Sequence, residues 1–154
     1  ERSFIGKFLG NEDTFKVMLN ALLKKDIINF ENNLQKILEL SFSYYDIGTE
    51  EKFYHNFILG IVLSLSDKYY VKSNRESGYG RYDILLEPIN KKETAFILEF
   101  KVAKSENELE KKLEEALKQI EDRKYDIELK NKNIFDIFKV AFAFYGKKVK
   151  VKNL

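Results

Sequence analysis

From Gly78 onward the sequence reads GYGRYDILLEP, then a polar turn, then TAFILEFK, which ends at Lys101. Asp83 heads an apolar run of Ile84, Leu85 and Leu86, while Glu99 and Lys101 are set among Phe96, Ile97, Leu98 and Phe100. Strand alternation puts Glu99 and Lys101 on one face together with Ile97, so two charges point at a surface that should be buried. Two readings account for that. Glu99 and Lys101 could form a structural ion pair at the end of a sheet, or charges on a half-exposed strand. They could instead belong to a metal site. If the two strands pair as a hairpin, Asp83 and Glu99 converge on one hard cation such as Mg²⁺, which prefers carboxylate oxygens and water, and Lys101 reaches the neighbouring water or phosphate.

Other residues could join such a site. Glu51 and His55 are one helical turn apart and could face it together, although Glu51 also suits a helix N-terminus and a lone His beside Ile58 and Leu59 also suits a core. Arg81, Tyr79, Gly78 and Gly80 could form a lip that admits a nucleic-acid backbone, with Arg as a bidentate phosphate donor, or a plain hairpin turn. Lys147, Lys148, Lys150 and Lys152 alternate with Val149 and Val151, a pattern that fits either a phosphate-facing row or a solvated edge that resists aggregation.

The elements that must position these groups follow from periodicity. Phe15, Leu19, Leu22 and Leu23 recur at helical spacing between Asn11 and Lys24, and Phe30, Leu34, Ile37, Leu38 and Leu40 form a second helical set after Asp26. A third helix is expected from about Thr49 to Asp67, with Glu50 and Glu51 in its first turn and Phe53, Phe57, Ile58, Ile61, Val62 and Leu65 as its apolar stripe. The period then shortens. Tyr69 to Lys72, Tyr82 to Glu87 and Thr94 to Val102 read as three strands of an antiparallel meander. A charged helix capped by Ser105, with Glu108 in the capping-box place, carries Leu109, Leu113, Ala116, Leu117 and Ile120 on the face expected to cover the sheet. Ile134 to Phe144 reads as a buried strand and Lys147 to Val151 as an exposed one, with Gly146 between them. The fourth strand should return beside the third by a crossover, which predicts an α/β or α+β sandwich.

Composition narrows the chemistry. The 154 residues are 44% hydrophobic and 14% aromatic, enough for one real core of roughly 70% buried surface rather than a disordered chain. The absence of Cys excludes disulfides, thiolate zinc, iron–sulfur clusters and cysteine nucleophiles, and a single His excludes a multi-histidine cage. Any metal must therefore sit mainly on carboxylates. No apolar run approaches the roughly 20 residues of a membrane span. Net charge is only +2, and the basic excess is C-terminal, 17 Lys and Arg against 14 Asp and Glu after Ser77. Glu1 in place of a starting Met suggests a piece of a longer protein.

Asp83, fifteen intervening residues, and Glu99-Phe100-Lys101 together resemble the signature of the PD-(D/E)XK nuclease superfamily, with Tyr82 standing where the motif is named for Pro. The order helix, three-strand meander, helix, strand is similar to that superfamily's αβββαβ core. EKFYHNFILG, ESGYGRYDILLEP, FILEFK and ALKQIEDRKYDIEL further resemble a branch of bacterial proteins whose nuclease-like domain follows an AAA-ATPase-like domain. The resemblance implies a restriction-endonuclease-like fold over 49–154 with a helical extension over 1–48 packed on it, together one compact domain. It implies an Mg²⁺- or Mn²⁺-dependent nuclease, with DNA as the expected nucleic-acid partner, and a cytoplasmic setting. Asp83 and Glu99 would be metal ligands with the carbonyl of Phe100, Lys101 would orient water or stabilise charge, and His55 or Glu51 would complete the ligand set. Gln119 resembles a helix Gln of the recombination-nuclease branch, although Arg123 occupies the place where that branch has Tyr; Lys118 and Arg123 are candidate phosphate contacts or solvated charges. An inactive nuclease-fold module, binding nucleic acid or a partner for an upstream ATPase-like domain, is the alternative. Phe4, Phe8, Phe15 and Phe30 leave room for a homodimer.

Overall fold

A computed structural model describes residues 12–41, 50–74 and 82–154. Five strands form one sheet in the order β1 (Tyr69–Ser73), β2 (Ile84–Pro88), β3 (Ala95–Val102), β4 (Ile137–Tyr145), β5 (Lys148–Asn153). The first three make the expected antiparallel meander, β4 runs parallel to β3, and β5 returns antiparallel to β4. The parallel step is the one that needs a crossover, and α4 (Leu109–Ile120) and α5 (Lys124–Asn131) provide it. With five α-helices among the described residues, this is a mixed α+β fold of the restriction-endonuclease-like kind.

Each face of the sheet buries a different set. Ile84, Leu86, Phe96, Leu98, Phe100, Val140, Phe142 and Phe144 pack with Met18, Leu22, Leu34, Leu38, Ile58 and Ile61, which come from α1 (Glu12–Leu23), α2 (Ile27–Ser41) and α3 (Glu51–Val62). On the opposite face Leu85, Ile97, Ala141 and Ala143 pack with Leu109, Leu113, Ala116, Leu117, Ile120 and Leu129 from α4 and α5. Period-two alternation in β3 and β4 therefore sends rings to one side and small or branched residues to the other, where α4 approaches closely.

The boundaries differ from the periodic reading in instructive places. α3 ends at Val62 and tightens into a 3₁₀ turn, Leu63–Leu65, so the apolar stripe continues to buried Leu65 although the α-helix does not. Ser105 makes no side-chain cap; a 3₁₀ turn, Glu106–Glu108, precedes α4, and the Glu108 carboxylate accepts instead from Lys104 N–H at 3.4 Å. The helix α5 was not expected. It ends in a Schellman-type closure in which Asn133 adopts φ 67°, Asn133 N–H bonds the Lys130 carbonyl at 2.9 Å, and Ile134 N–H bonds the Leu129 carbonyl at 3.0 Å. The turn glycines and Arg81 lie outside the described residues, as do Phe4, Phe8 and Thr49.

β5 is an edge strand, yet its outer side is covered. Val149 N–H donates to Gln35 Oε1 at 2.9 Å, Val151 N–H donates to Glu31 Oε2 at 2.7 Å, and Gln35 Nε2 donates to the Lys147 carbonyl at 2.6 Å, so α2 satisfies the edge with side chains. Lysines of β5 meet glutamates of α4 and of the 3₁₀ turn before it one by one: Lys148 with Glu106 at 2.8 Å, Lys150 with Glu110 at 2.8 Å, Lys152 with Glu114 at 3.9 Å. Two strand residues advance about 6.7 Å and four helical residues about 6 Å, so i,i+2 lysines register with i,i+4 glutamates. Each pair is exposed and contributes little to stability alone.

Candidate active site

β2 and β3 pair through Ile84↔Leu98. Continuing that register by one would place Asp83 opposite Glu99, but the regular ladder stops there. Asp83 N–H bonds the Leu98 carbonyl at 3.0 Å, and its side chain turns in so that Oδ2 accepts from Phe100 N–H at 2.7 Å. A carboxylate thus takes a backbone donor that a continuing ladder would bond to a carbonyl. That donor is firmly held, because the fully buried Phe100 ring packs edge-on against Phe142 at 5.1 Å and against His55 at 5.7 Å. Alternation then sends the flanking Glu99 and Lys101 to the α4 side of the sheet.

Glu99 is 3% exposed. Burial, the charge of Asp83 and the hydrogen bond shared with it raise the Glu99 carboxyl to about 9 from 4.5; Lys101 partly opposes this and Glu51 adds to it. A buried carboxyl and a half-buried one are therefore pressed together beside one half-buried ammonium group. Glu99 Oε1 is buried without a hydrogen-bond partner, an unsatisfied acceptor of the kind a bound cation satisfies. The donor set is hard oxygen, which suits Mg²⁺ or Mn²⁺ and not a thiophilic metal. Among the described residues no group of three or more His, Cys, Asp or Glu stands ready around a metal, so a cation here would rest on two carboxylates, backbone oxygen and water.

The other expected site residues are distributed around this centre. Glu51 is exposed in the first turn of α3 and is close enough to act on Glu99 electrostatically. His55 is buried on the other face, where its Nε2 and Ser73 Oγ are 2.8 Å apart; it meets the site through the Phe100 ring. Gln119 and Lys118 are exposed on α4, away from the Leu113–Leu117–Ile120 seam, and Arg123 is exposed at the start of α5.

A cleft of about 670 Å³ lies between β1, β2 and α5 and reaches the residue before Asp83. Tyr82, the neighbour of Asp83, lines it with its ring edge-on to Tyr125 at 4.7 Å. Glu87, 8% exposed, lies in its wall; burial raises its carboxyl, but hydrogen bonds from Lys72 at 2.8 Å and Lys132 at 3.1 Å win and hold it below 4.5. The sequence reading missed Lys72, Glu87 and Lys132 because they come together only once α5 docks. That docking uses an ion pair of buried Lys139 with half-buried Asp126, Nζ to Oδ1 at 2.8 Å.

A family profile described as the PD-(D/E)XK nuclease superfamily matches residues 49–154. The chain belongs to the PD-(D/E)XK nuclease superfamily. The match takes in α3, the whole sheet, α4 and α5, and therefore every residue of the centre just described. Nucleases of this superfamily generally use divalent metals, in keeping with the hard-oxygen donor set found here. No match was found among curated proteins or among solved structures. No helix among the described residues is long and apolar enough to cross a membrane.

Proposed function

We propose that this nuclease-superfamily chain hydrolyses phosphodiester bonds of DNA with Mg²⁺ or Mn²⁺. The observation that carries the reading is the Asp83–Glu99 carboxyl pair, half-buried Asp83 against buried Glu99 with its orphaned oxygen, beside Lys101. Asp83 and Glu99, with the carbonyl of Phe100, would hold the cation, which when bound supplies Lewis acidity toward the phosphate and a more acidic water. Asp83 is oriented for this by Phe100 N–H, so its carboxylate need not reorganise. Burial of Glu99 excludes bulk water from one side of the reacting phosphate. Lys101, half-buried on the same face, orients the attacking water and stabilises charge that builds on the phosphoryl oxygens. Glu51, close enough to act on Glu99, would accept through water from the same centre, and His55 would brace it from behind through Phe100. Gln119, Lys118, Arg123 and Arg81 are proposed contacts along the nucleic acid. An upstream AAA-ATPase-like domain and a cytoplasmic setting belong to the same reading; homodimer formation would rest on aromatic residues of the N-terminal segment other than Phe30, which is buried in the core.

Labelled single- and double-stranded DNA and RNA, incubated at low salt with Mg²⁺ or Mn²⁺, test it. The expected result is metal-dependent cutting of DNA that EDTA stops and Lys101→Ala reduces at least a hundredfold, about the contribution of one preorganised charge to a rate. Unchanged cutting by Lys101→Ala refutes the mechanism. Binding without cutting by the wild type supports the inactive-module alternative instead.

A further inference from the structure

We infer that the cleft between β1, β2 and α5 receives an unstacked nucleobase from a strand whose backbone crosses the Asp83–Glu99 centre. This rests on the nucleic-acid reading above and goes beyond it, because it specifies an unpaired nucleotide at the cut. Three observations converge. The volume of about 670 Å³ holds a nucleotide and lies within the range of small-ligand pockets. Its lining combines apolar Leu85 and Leu129 with the Tyr82–Tyr125 ring pair, the surfaces on which bases stack irrespective of sequence. Glu87 with Lys132 offers an ionised acceptor beside cationic donors, matching the mixed donor and acceptor edge of a base rather than a plain hydrocarbon.

Position decides the occupant. Tyr82 is bonded to Asp83, and the Asp83 carbonyl accepts from Asn74 N–H at 3.0 Å, next to the cleft-lining Ser73. A group in the cleft and a phosphate at the centre are therefore neighbours, as a base and its own backbone are. A base inside a duplex cannot enter without leaving its stack, so the cleft favours single strands, frayed ends or flipped nucleotides.

Binding rather than cutting tests this. A short single strand and its base-free sugar–phosphate counterpart are titrated against the protein by fluorescence anisotropy, at low salt in EDTA. The wild type is expected to bind the intact strand roughly tenfold or more tighter than the base-free one, the contribution of a stacked base. Tyr125→Ala should erase that difference and Tyr125→Phe should keep it, while a blunt duplex is indifferent to both. Equal binding of the two strands by the wild type overturns the inference, and needs no variant to fold. So does a difference that survives Tyr125→Ala, or the absence of any binding. Base-independent binding with metal-dependent cutting discards the cleft and keeps the nuclease; base-dependent binding without cutting does the reverse.

Discussion

Replacing Glu99 by Gln should stabilise the metal-free protein, by an amount that depends on pH in a defined way. The folded carboxyl releases its proton at about 9 and an ordinary glutamate at 4.5. Below 4.5 both folded and unfolded chains hold the proton, and the full stability is present. As pH rises from there toward 9, the unfolded chain ionises freely while the folded one does not, so stability falls by about 1.4 kcal/mol per pH unit. At pH 7 the accumulated loss is about 3 kcal/mol, since Glu99 is 3% exposed and little screened by solvent. Glu99→Gln keeps the shape and removes the titration. Urea unfolding in EDTA at constant ionic strength, from pH 4.5 to 8, should show the variant and wild type nearly equal at the acid end and separated by about 3 kcal/mol at pH 7. Added Mg²⁺ should close much of the gap by stabilising only the wild type, about 2.7 kcal/mol at a hundredfold excess over Kd. A separation that is the same at every pH refutes the argument, because Glu99 would then ionise as it does in the unfolded chain.

Further outcomes follow from contacts away from the centre. Asp126→Ala leaves the Lys139 ammonium buried without its partner and should cost about 3 kcal/mol in urea unfolding, while the double change with Lys139→Met should recover most of it. Gln35→Ala removes two hydrogen bonds to the β5 edge and should cost about 2 kcal/mol. Light scattering should also detect self-association in Gln35→Ala, since the freed edge can pair with another chain.

Much of the centre was legible because it lies on period-two strands. In FILEFK, alternation alone separates Phe100 from Glu99 and Lys101, and the structure sends them to opposite faces of the sheet. α4 was legible in the same way, its five expected apolar residues all buried. What stayed hidden depends on relations between elements. Which side of the sheet α3 occupies decides that His55 meets Ser73 and Phe100, and spacing within one helix carries no such information. That β2 leaves its ladder at Asp83, so a carboxylate can take the Phe100 donor, is likewise a property of the pair of strands. α5 is eight residues long and buries one side chain fully, Leu129, too little for a helical period to stand out. The partners of the lysine row stayed hidden, leaving it open between a phosphate-facing row and a solvated edge, because the glutamates sit over thirty positions away on α4 and the turn before it.

The side-chain covering of β5 also bears on how the chain is made. Gln35 and the backbone it satisfies at Val149 are separated by 114 positions. At a synthesis rate of about 5–20 residues per second, α2 leaves the ribosome roughly 6–23 s before that strand exists. Early in that interval Phe30, Leu34, Ile37 and Leu38 can rest only on α1, and they meet α3 and the sheet as those elements emerge. α1 and α2, translated before the sheet, thus complete their packing only when its last strands emerge, and a ribosome that stalls before β5 releases a chain in which the apolar face of α2 is only partly covered.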